Sequence, residues 1–516
     1  MRAIGVRCEA DVVVVGGGGA ALAAASAARG AGAEVILLEK NPRLGGSTAW
    51  SVGSVTATQT PHQRKAGITD NPQDHLEDLK LFSAALKLEH RDNFELSRLL
   101  CDHSPAMFDW LLSTGLEFVG PFPEPPHRRP RMHNVLPNSR AFPYLLGRHC
   151  HRQGVDIRIN TAAQRLIIDN GHARGVVARE ADGSTTEYIA RKGVVLAAGD
   201  YSGGRELKAR FSSELIANVD AVNVTNTGDG IRMGLDCGGT VINGDYIRGP
   251  ILRFVPPMHT TIEQRLPPLP AITKLLHWGF DYLPKRILRP VLMNTLTTAL
   301  APEKSLYEHG AILVDRDGLR FGDEREQPAR NAAARPDGLA WMIFDSTVAD
   351  RYQQWPHFVS TAPSIGYAYL EDYRRSRQDI FHCANSPGEL AASMKLPRAA
   401  VEKTLADYNA NVLTLDAPAR RERPAIVKPP YYALGPAKAY IIFTNGGLKV
   451  TLNLEVVGRN EQIIPGLYAA GANGQGGLLL EGHGHHLGWA FVSGLMAGRN
   501  AASNAVSAGV ARVGRQ

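Results

Sequence analysis

The stretch DVVVVGGGGAALAAASAARGAGAEVILLEK, residues 11 to 40, constrains the fold more than any other part of the chain. A β-branched run enters four glycines, an alanine-rich segment follows, and a second apolar run closes on an acid. That order predicts a strand, a helix and a second, parallel strand. Gly16, Gly18 and Ala21 fall on the three small positions of a dinucleotide fingerprint, with Gly19 and Ala20 between them. One small residue makes the tight turn, one lets a pyrophosphate approach the backbone, and one lets the helix pack on the sheet. The helix start then offers free N–H groups and a positive dipole end to a diphosphate. Glu39, twenty-three residues after Gly16, closes the second strand and is placed to accept hydrogen bonds from ribose hydroxyls.

The next stretch, NPRLGGSTAWSVGS, sets a second glycine pair directly after the acid. A nicotinamide domain has no need of such a loop, whereas a flavin must be carried further along its diphosphate. Here the sequence resembles the fumarate reductase and 3-ketosteroid dehydrogenase superfamily of flavoproteins. The resemblance implies FAD, with Lys40 beside Glu39 and with Gly45, Gly46, Ser47 and Thr48 lining the diphosphate and the flavin. Members that carry FAD covalently have a histidine in this segment, and none lies between Asn41 and Thr60. Non-covalent FAD is the expectation.

The resemblance recurs along most of the chain. KGVVLAAGDYSGG (192 to 204) is similar to the strand and turn beside the adenine, through Ala198 and Gly199, and NTGDGIRMGLDCGG (226 to 239) to a TGDG loop containing Asp229. GAILVDRDGLRFGDE (310 to 324) resembles a cap segment with Arg320, Phe321 and Glu324. FTNGGLKV and IIPGLYAAGANGQGG, with Gly471, resemble the return of the chain to the flavin, which Gly488 also approaches. The implied fold is α/β: a discontinuous, Rossmann-like FAD-binding domain, 1–240 and 426–516, with an inserted α+β cap (substrate) domain, 241–425, and the active site between them. SPGE at 386 to 389 and NPQD at 71 to 74 each offer a capping side chain, a proline and an acid, and predict helix starts.

EGHGHHLG, residues 481 to 488, precedes a small-residue helix expected to begin near Gly488. The loop reads as active-site wall, with a structural loop and a metal site as the other readings. His483 and His485 could converge, but no third ligand of suitable spacing is visible, and no metal is expected. Under the resemblance, Glu481 stands near the place of a substrate-binding arginine in fumarate reductases and a tyrosine in ketone dehydrogenases. A carboxylate there would repel a dicarboxylate substrate. Gly484 matches a glycine whose N–H binds the substrate oxygen as it becomes enolate-like. The implied chemistry is hydride exchange at a β-carbon coupled to proton transfer at the α-carbon. The proton candidates are His485, His486 and Arg330, the last close to the place of a proton-donating arginine in fumarate reductases. His133 lies in a segment that often supplies substrate contacts.

Glu481 and the apolar cap favour α,β-dehydrogenation of a cyclic or apolar ketone, while Arg330 favours the alternative. The alternative is a reductase or dehydrogenase of unsaturated acids of the fumarate, urocanate or tricarballylate kind, and a further one is an electron-transfer flavoprotein subunit. The partners implied are a small-molecule substrate and an electron acceptor not identified by the sequence. With 44% hydrophobic and 21% charged residues the chain has a globular balance, and a net charge of +7 spread over 516 residues, without a basic repeat, does not point to nucleic acid. Cys8, Cys101, Cys150, Cys237 and Cys383 contain no CxxC and suggest reduced thiols. MRAIGVRCEA has no signal-type apolar stretch, which makes cytoplasm the expectation. KLLHWGFDYLPKRILRPVLMNTL (274 to 296) mixes large apolar residues with Lys274, Lys285, Arg286 and Arg289. It reads as a cap helix bundle, a lid over a bulky substrate, or a peripheral membrane contact.

Overall fold

The computed structural model describes residues 6–257, 266–284, 289, 293, 297, 300–362, 366–415 and 423–504. The glycine-rich unit folds as its pattern demands: β1 (Val6–Val15), α1 (Gly19–Gly30) and β2 (Val35–Leu38), with β1 and β2 parallel in the register Val12 on Val35. Beyond β2 lies β3 (Asp156–Arg158), and on the other side of β1 lies β4 (Thr185–Leu196). The late pair β5 (Glu455–Val457) and β6 (Ile463–Ala469) completes the order β5, β6, β4, β1, β2, β3. A hairpin of Ala162–Asp169 and His172–Arg179 pairs with the first half of β4. Val12, Val13 and Val14 are fully buried, as a central parallel strand covered on both faces must be.

Four further helices position the site: α2 (Pro72–Ala85), α3 (Phe94–Ser113), α4 (Asp229–Asp236) and α5 (His485–Ser503). α5 lies along α1 at close range, since a Cβ on Gly494 or Gly498 would collide with the carbonyls of Ala20 or Ala24. The expected caps are present. Asn71 accepts from the Asp74 N–H at 2.8 Å, and Ser386 from the Glu389 N–H at 3.3 Å.

The second unit is built on an antiparallel sheet of Ile251–Phe254, Ile312–Val314, Leu339–Asp345, Phe381–Ala384 and Tyr431–Tyr440. Leu252, Phe254, Met342, Phe344 and Leu434 form part of its own core. The return to the first unit falls later than residue 426, because Tyr431–Tyr440 pairs with three strands of this sheet and belongs to it. Two short antiparallel ladders carry the crossing: Ile247–Arg248 on Phe443–Thr444, and Val241–Ile242 on Gly447–Leu448. The outgoing and returning connections therefore run side by side.

In the apolar and basic stretch, the helix Pro270–Tyr282 leaves Leu275, Trp278 and Tyr282 exposed. Arg289 is committed to Asp372 at 2.6 Å. Lys285 and Arg286, on which a lid or membrane contact also drew, lie outside the described residues. Among the described residues no helix is long and apolar enough to cross a membrane.

Candidate active site

At the first glycine turn Gly16 has φ 113°, and a Cβ there would strike the Ala197 carbonyl. The second glycine pair folds back onto this turn: Gly45 N–H donates to Gly17 O at 2.9 Å, and a Cβ on Gly46 would lie 3.4 Å from Gly18 Cα. Thr48 Oγ1 accepts from Gly19 N–H at 3.0 Å. α1 has no side-chain cap and no acid in its first turn, so its positive end faces the glycine cradle without an internal anion. Glu39 stands one residue beyond β2 and is buried, with Oε1 accepting from the Asn41 N–H and side-chain amide at 2.7 Å each. Burial raises its pKa, opposed by these donors. A cradle of backbone without side chains, an open helix start and a sequestered carboxylate fit a dinucleotide.

Around this cradle runs a polar lattice that sequence reasoning found only in part. Lys40 and Asp229, each expected at the cofactor, bind each other at 2.7 Å, with Thr227 Oγ1 accepting from the same ammonium. Ser47 Oγ accepts from the amides of Asn223 and Asn226 at 3.1 and 2.8 Å. Asn473 accepts from Ala198 N–H at 2.6 Å and donates to Gly199 O at 2.7 Å, which ties that turn to the GANG turn. Gly471 N–H donates to Ser493 Oγ at 2.8 Å. Asn223, Asn226 and Asn473 were missed. Their signal was asparagine placed inside glycine-containing turns, where its side chain can substitute for backbone partners.

The histidine-rich loop leads into α5 at His485, three residues before the expected start. Gly484 is the N-cap with φ 85°, and a Cβ there would lie 2.6 Å from Thr56 N. Thr56 Oγ1 donates to His483 O at 2.6 Å, so the loop is fastened to the strand Ser54–Thr56. Glu481 is buried and already engaged: Tyr246 OH donates to Oε1 at 2.7 Å, and Arg248 Nη1 lies 3.2 Å from Oε2. This corrects the argument from repulsion, because the charge of Glu481 is offset by a guanidinium on the outgoing connection.

The other candidates separate by environment. His486 packs its ring 4.1 Å from that of Phe443, its Nε2 has no partner among the described residues, and burial pushes its pKa down to about 3. His485 is fully buried, with Nδ1–H donating to Glu481 O at 2.7 Å and Nε2 3.5 Å from His75 Nε2. It is an interior residue rather than one facing substrate. His133 is likewise interior: Nε2 lies 3.0 Å from Thr60 Oγ1, its ring lies against Phe108, and burial pushes its pKa to about 3. Arg330 is exposed on the cap helix Pro328–Ala333, and none of the described contacts joins it to the loop. His483 is close to half exposed, and both its N–H and its Nδ1 meet Oε1 of the buried Glu124, at 2.8 and 2.5 Å.

His485 converges with His75 and His127, not with His483. The ligand atoms of the three buried rings lie within 4.8 Å of one another, a spacing a metal could use. One hydrogen bond opposes it. Arg131 Nη1 can only donate, and it does so to His127 Nδ1 at 2.9 Å, which leaves that ring's proton on Nε2. Arg131 is itself buried and held by Asp70 and Asp78. Burial lowers the pKa values of all three rings, His485 to about 4 and His127 to about 2, so the group is a neutral imidazole cluster behind the loop.

A family model described as FAD binding domain matches residues 11–262 and 272–478. The chain is 28% identical over 490 residues to a protein of Shewanella frigidimarina named as a probable fumarate reductase, covering 92% of this chain and 72% of that protein. It is 26% identical over 508 residues to an NADH:acrylate oxidoreductase of Vibrio harveyi, covering 85% of this chain but 45% of that protein, so it spans less than half of this relative. Among solved structures, the open conformation of a flavocytochrome c3 fumarate reductase superposes with a TM-score of 0.71 at 24% identity, over 96% of this chain and 78% of that one. A 3-ketosteroid-Δ4-(5α)-dehydrogenase from Rhodococcus jostii RHA1 superposes with a TM-score of 0.59 at 22% identity, over 97% and 98%. The two structures share the fold.

Proposed function

The chain belongs to the FAD binding domain family and is an FAD-dependent oxidoreductase, and from that premise we propose that it is of the fumarate reductase type and reduces the carbon–carbon double bond of an α,β-unsaturated carboxylic acid. The observation that carries this reading is the Arg248–Glu481 pair. Arg248 uses one nitrogen on Glu481 and keeps more than a third of its side chain exposed. Its remaining N–H groups form a fork suited to a substrate carboxylate, while Glu481 holds the guanidinium in place. The Gly484 N–H and the start of α5 present donors and a positive dipole end to the same carboxylate, where charge develops as the α-carbon becomes enolate-like. His486 and Phe443 supply a ring wall beside it.

Gly16, Gly18, Gly19, Ala20, Ala21, Gly45, Gly46, Ser47 and Thr48 would hold the cofactor's diphosphate and flavin, Glu39 its ribose, Ala198 and Gly199 its adenine end, and Gly471 and Gly488 the ring edge. When bound and reduced, FAD supplies the hydride. The ketone reading rested on an uncompensated Glu481 and on the apolar cap, and the Arg248 contact removes the first of these. Both sequence relatives are named for reduction of unsaturated acids or for acrylate, whereas the ketosteroid enzyme is a neighbour in fold. The test is anaerobic: dithionite-reduced enzyme is mixed with acrylate, fumarate, aromatic enoates and cyclic enones, and flavin reoxidation is followed by absorbance. Reoxidation by enoate acids is the expected result. Reoxidation by cyclic enones alone would overturn the assignment.

A further inference from the structure

We propose that His483, oriented by Glu124, is the acid that protonates the substrate's α-carbon, in place of the cap arginine Arg330. The inference rests on the enoate-reductase reading. Reduction adds a hydride to the β-carbon and a proton to the α-carbon. The proton donor must be charged at working pH, open to the substrate and able to recover its proton from water.

The structure sorts the candidates by these three needs. Arg330 stands in the cap without a described contact to the loop. His75, His127 and His485 are buried, and the surroundings of these three and of the part-buried His486 hold all four pKa values below the usual histidine value. Of these groups His483 alone combines a raised pKa with an exposed side chain. Its side chain is 46% exposed. Glu124 Oε1 takes its Nδ1 proton, which turns the Nε2–H edge away from Glu124, and the second carboxylate oxygen of this buried residue has no partner among the described residues. This is the arrangement in which a carboxylate fixes an imidazole's tautomer and favours its cation. The groups facing the ring are Glu124, whose hydrogen bond and charge raise its pKa, and Arg248, whose charge lowers it as partial burial also does, with His485 on the adjoining turn of α5. The balance is upward.

The step closes without further reactants. As the hydride arrives at the β-carbon with its electron pair, the π pair moves to the α-carbon and takes the Nε2 proton. One N–H bond breaks, one C–H bond forms, and the ring is left neutral. Its exposed edge then recovers a proton from solvent. The two electrons come from the reduced FAD, recharged in the assay by dithionite.

Two variants and two readouts test this. In the FAD-loaded protein, a ring-proton NMR titration assigned with His483→Gln should show His483 titrating above the usual histidine value, and Glu124→Gln should move that titration to lower pH. In stopped-flow reoxidation by an enoate, His483→Gln should lose roughly 100-fold or more in rate with substrate affinity changed only a few-fold. Glu124→Gln should shift the alkaline fall of the rate to lower pH in step with the titration. A His483→Gln rate within a few-fold of wild type, or a Glu124→Gln profile that does not move, would overturn the proposal and leave the enoate-reductase reading intact. Failure of every enoate to reoxidise the wild-type protein would overturn both.

Discussion

Arg248 Nη1 lies 3.2 Å from Glu481 Oε2, while the Tyr246 hydroxyl donates to the other oxygen of the same carboxylate. Glu481 sits on the loop before α5, and Tyr246 and Arg248 on the connection leaving the first unit, so the pair joins two parts of the chain that only the folded molecule brings together. If Arg248 receives the substrate carboxylate, Arg248→Leu should raise the dissociation constant for an enoate acid by roughly 10- to 100-fold, the worth of a charge-assisted hydrogen bond. FAD content should stay unchanged. Titrating the flavin spectrum with substrate measures both, and unaltered enoate affinity in this variant would remove Arg248 from the substrate site.

Glu39→Ala should weaken FAD binding by about 1.5–3 kcal/mol, because the buried carboxylate at the end of β2 is the group offered to the ribose. FAD occupancy after gel filtration at low protein concentration gives the measurement, and full occupancy would contradict the role. Acid precipitation of the wild-type protein should send the yellow colour into the supernatant, since no histidine between Asn41 and Thr60 can carry a covalent link.

Gly498→Val should destabilise the fold by about 1–3 kcal/mol or more, since the added carbons meet the Ala24 carbonyl of α1 rather than a movable side chain. The urea midpoint of the FAD-free protein reports it. A midpoint equal to wild type would mean that α1 and α5 can separate at little cost.

Stability should fall as pH drops below about 6.5. His133, His485 and His486 have folded pKa values near 3, 4 and 3, and His75 and His127 are also lowered, all by burial. A depressed folded pKa means that the unfolded chain binds protons that the native chain refuses. The stability these groups lend is therefore whole above the unfolded value and is lost progressively as pH falls from about 6.5 towards 4 and 3. Asp92 works in the opposite sense, since burial raises it to about 6 and folding then favours its protonated form. Glu39 and Asp200, raised by burial, and His483, raised by Glu124, act in the same sense as Asp92, but the histidines lowered by burial, these five with His149, His309 and His382, outnumber them and set the direction. Urea midpoints at pH 7.5, 6.0 and 5.0 should decline in that order, and a flat series would contradict it.

The dinucleotide half of the molecule was legible because its constraints are local. A glycine that must take φ 113°, a run of valines and an acid closing the next strand are each dictated within a few residues, and β1, α1 and β2 appear where that pattern puts them. The catalytic half was not, because its pairs are remote in sequence. Glu481 meets Arg248 across 233 positions, and Glu124 meets His483 across 359. The residue type at 481 was visible, but its charge balance was not. His485 was singled out for its neighbours in sequence, while its environment is set by His75 and His127 from other segments. The cap boundary shifted for the same reason, since the membership of Tyr431–Tyr440 is decided by cross-strand partners in distant stretches.

The close fit of Gly494 and Gly498 over Ala20 and Ala24 has a consequence for biosynthesis. During translation the glycine turn, α1 and the sheet's centre emerge first, but the wall that completes their cradle comes from β6, Gly471 and α5, made more than 400 residues later. A ribosome-bound nascent chain therefore holds half a cofactor site, with the alanine face of α1 uncovered and prone to sticking. FAD uptake is thereby expected to await the arrival of α5, and a chain truncated before residue 485 is expected to lose cofactor retention.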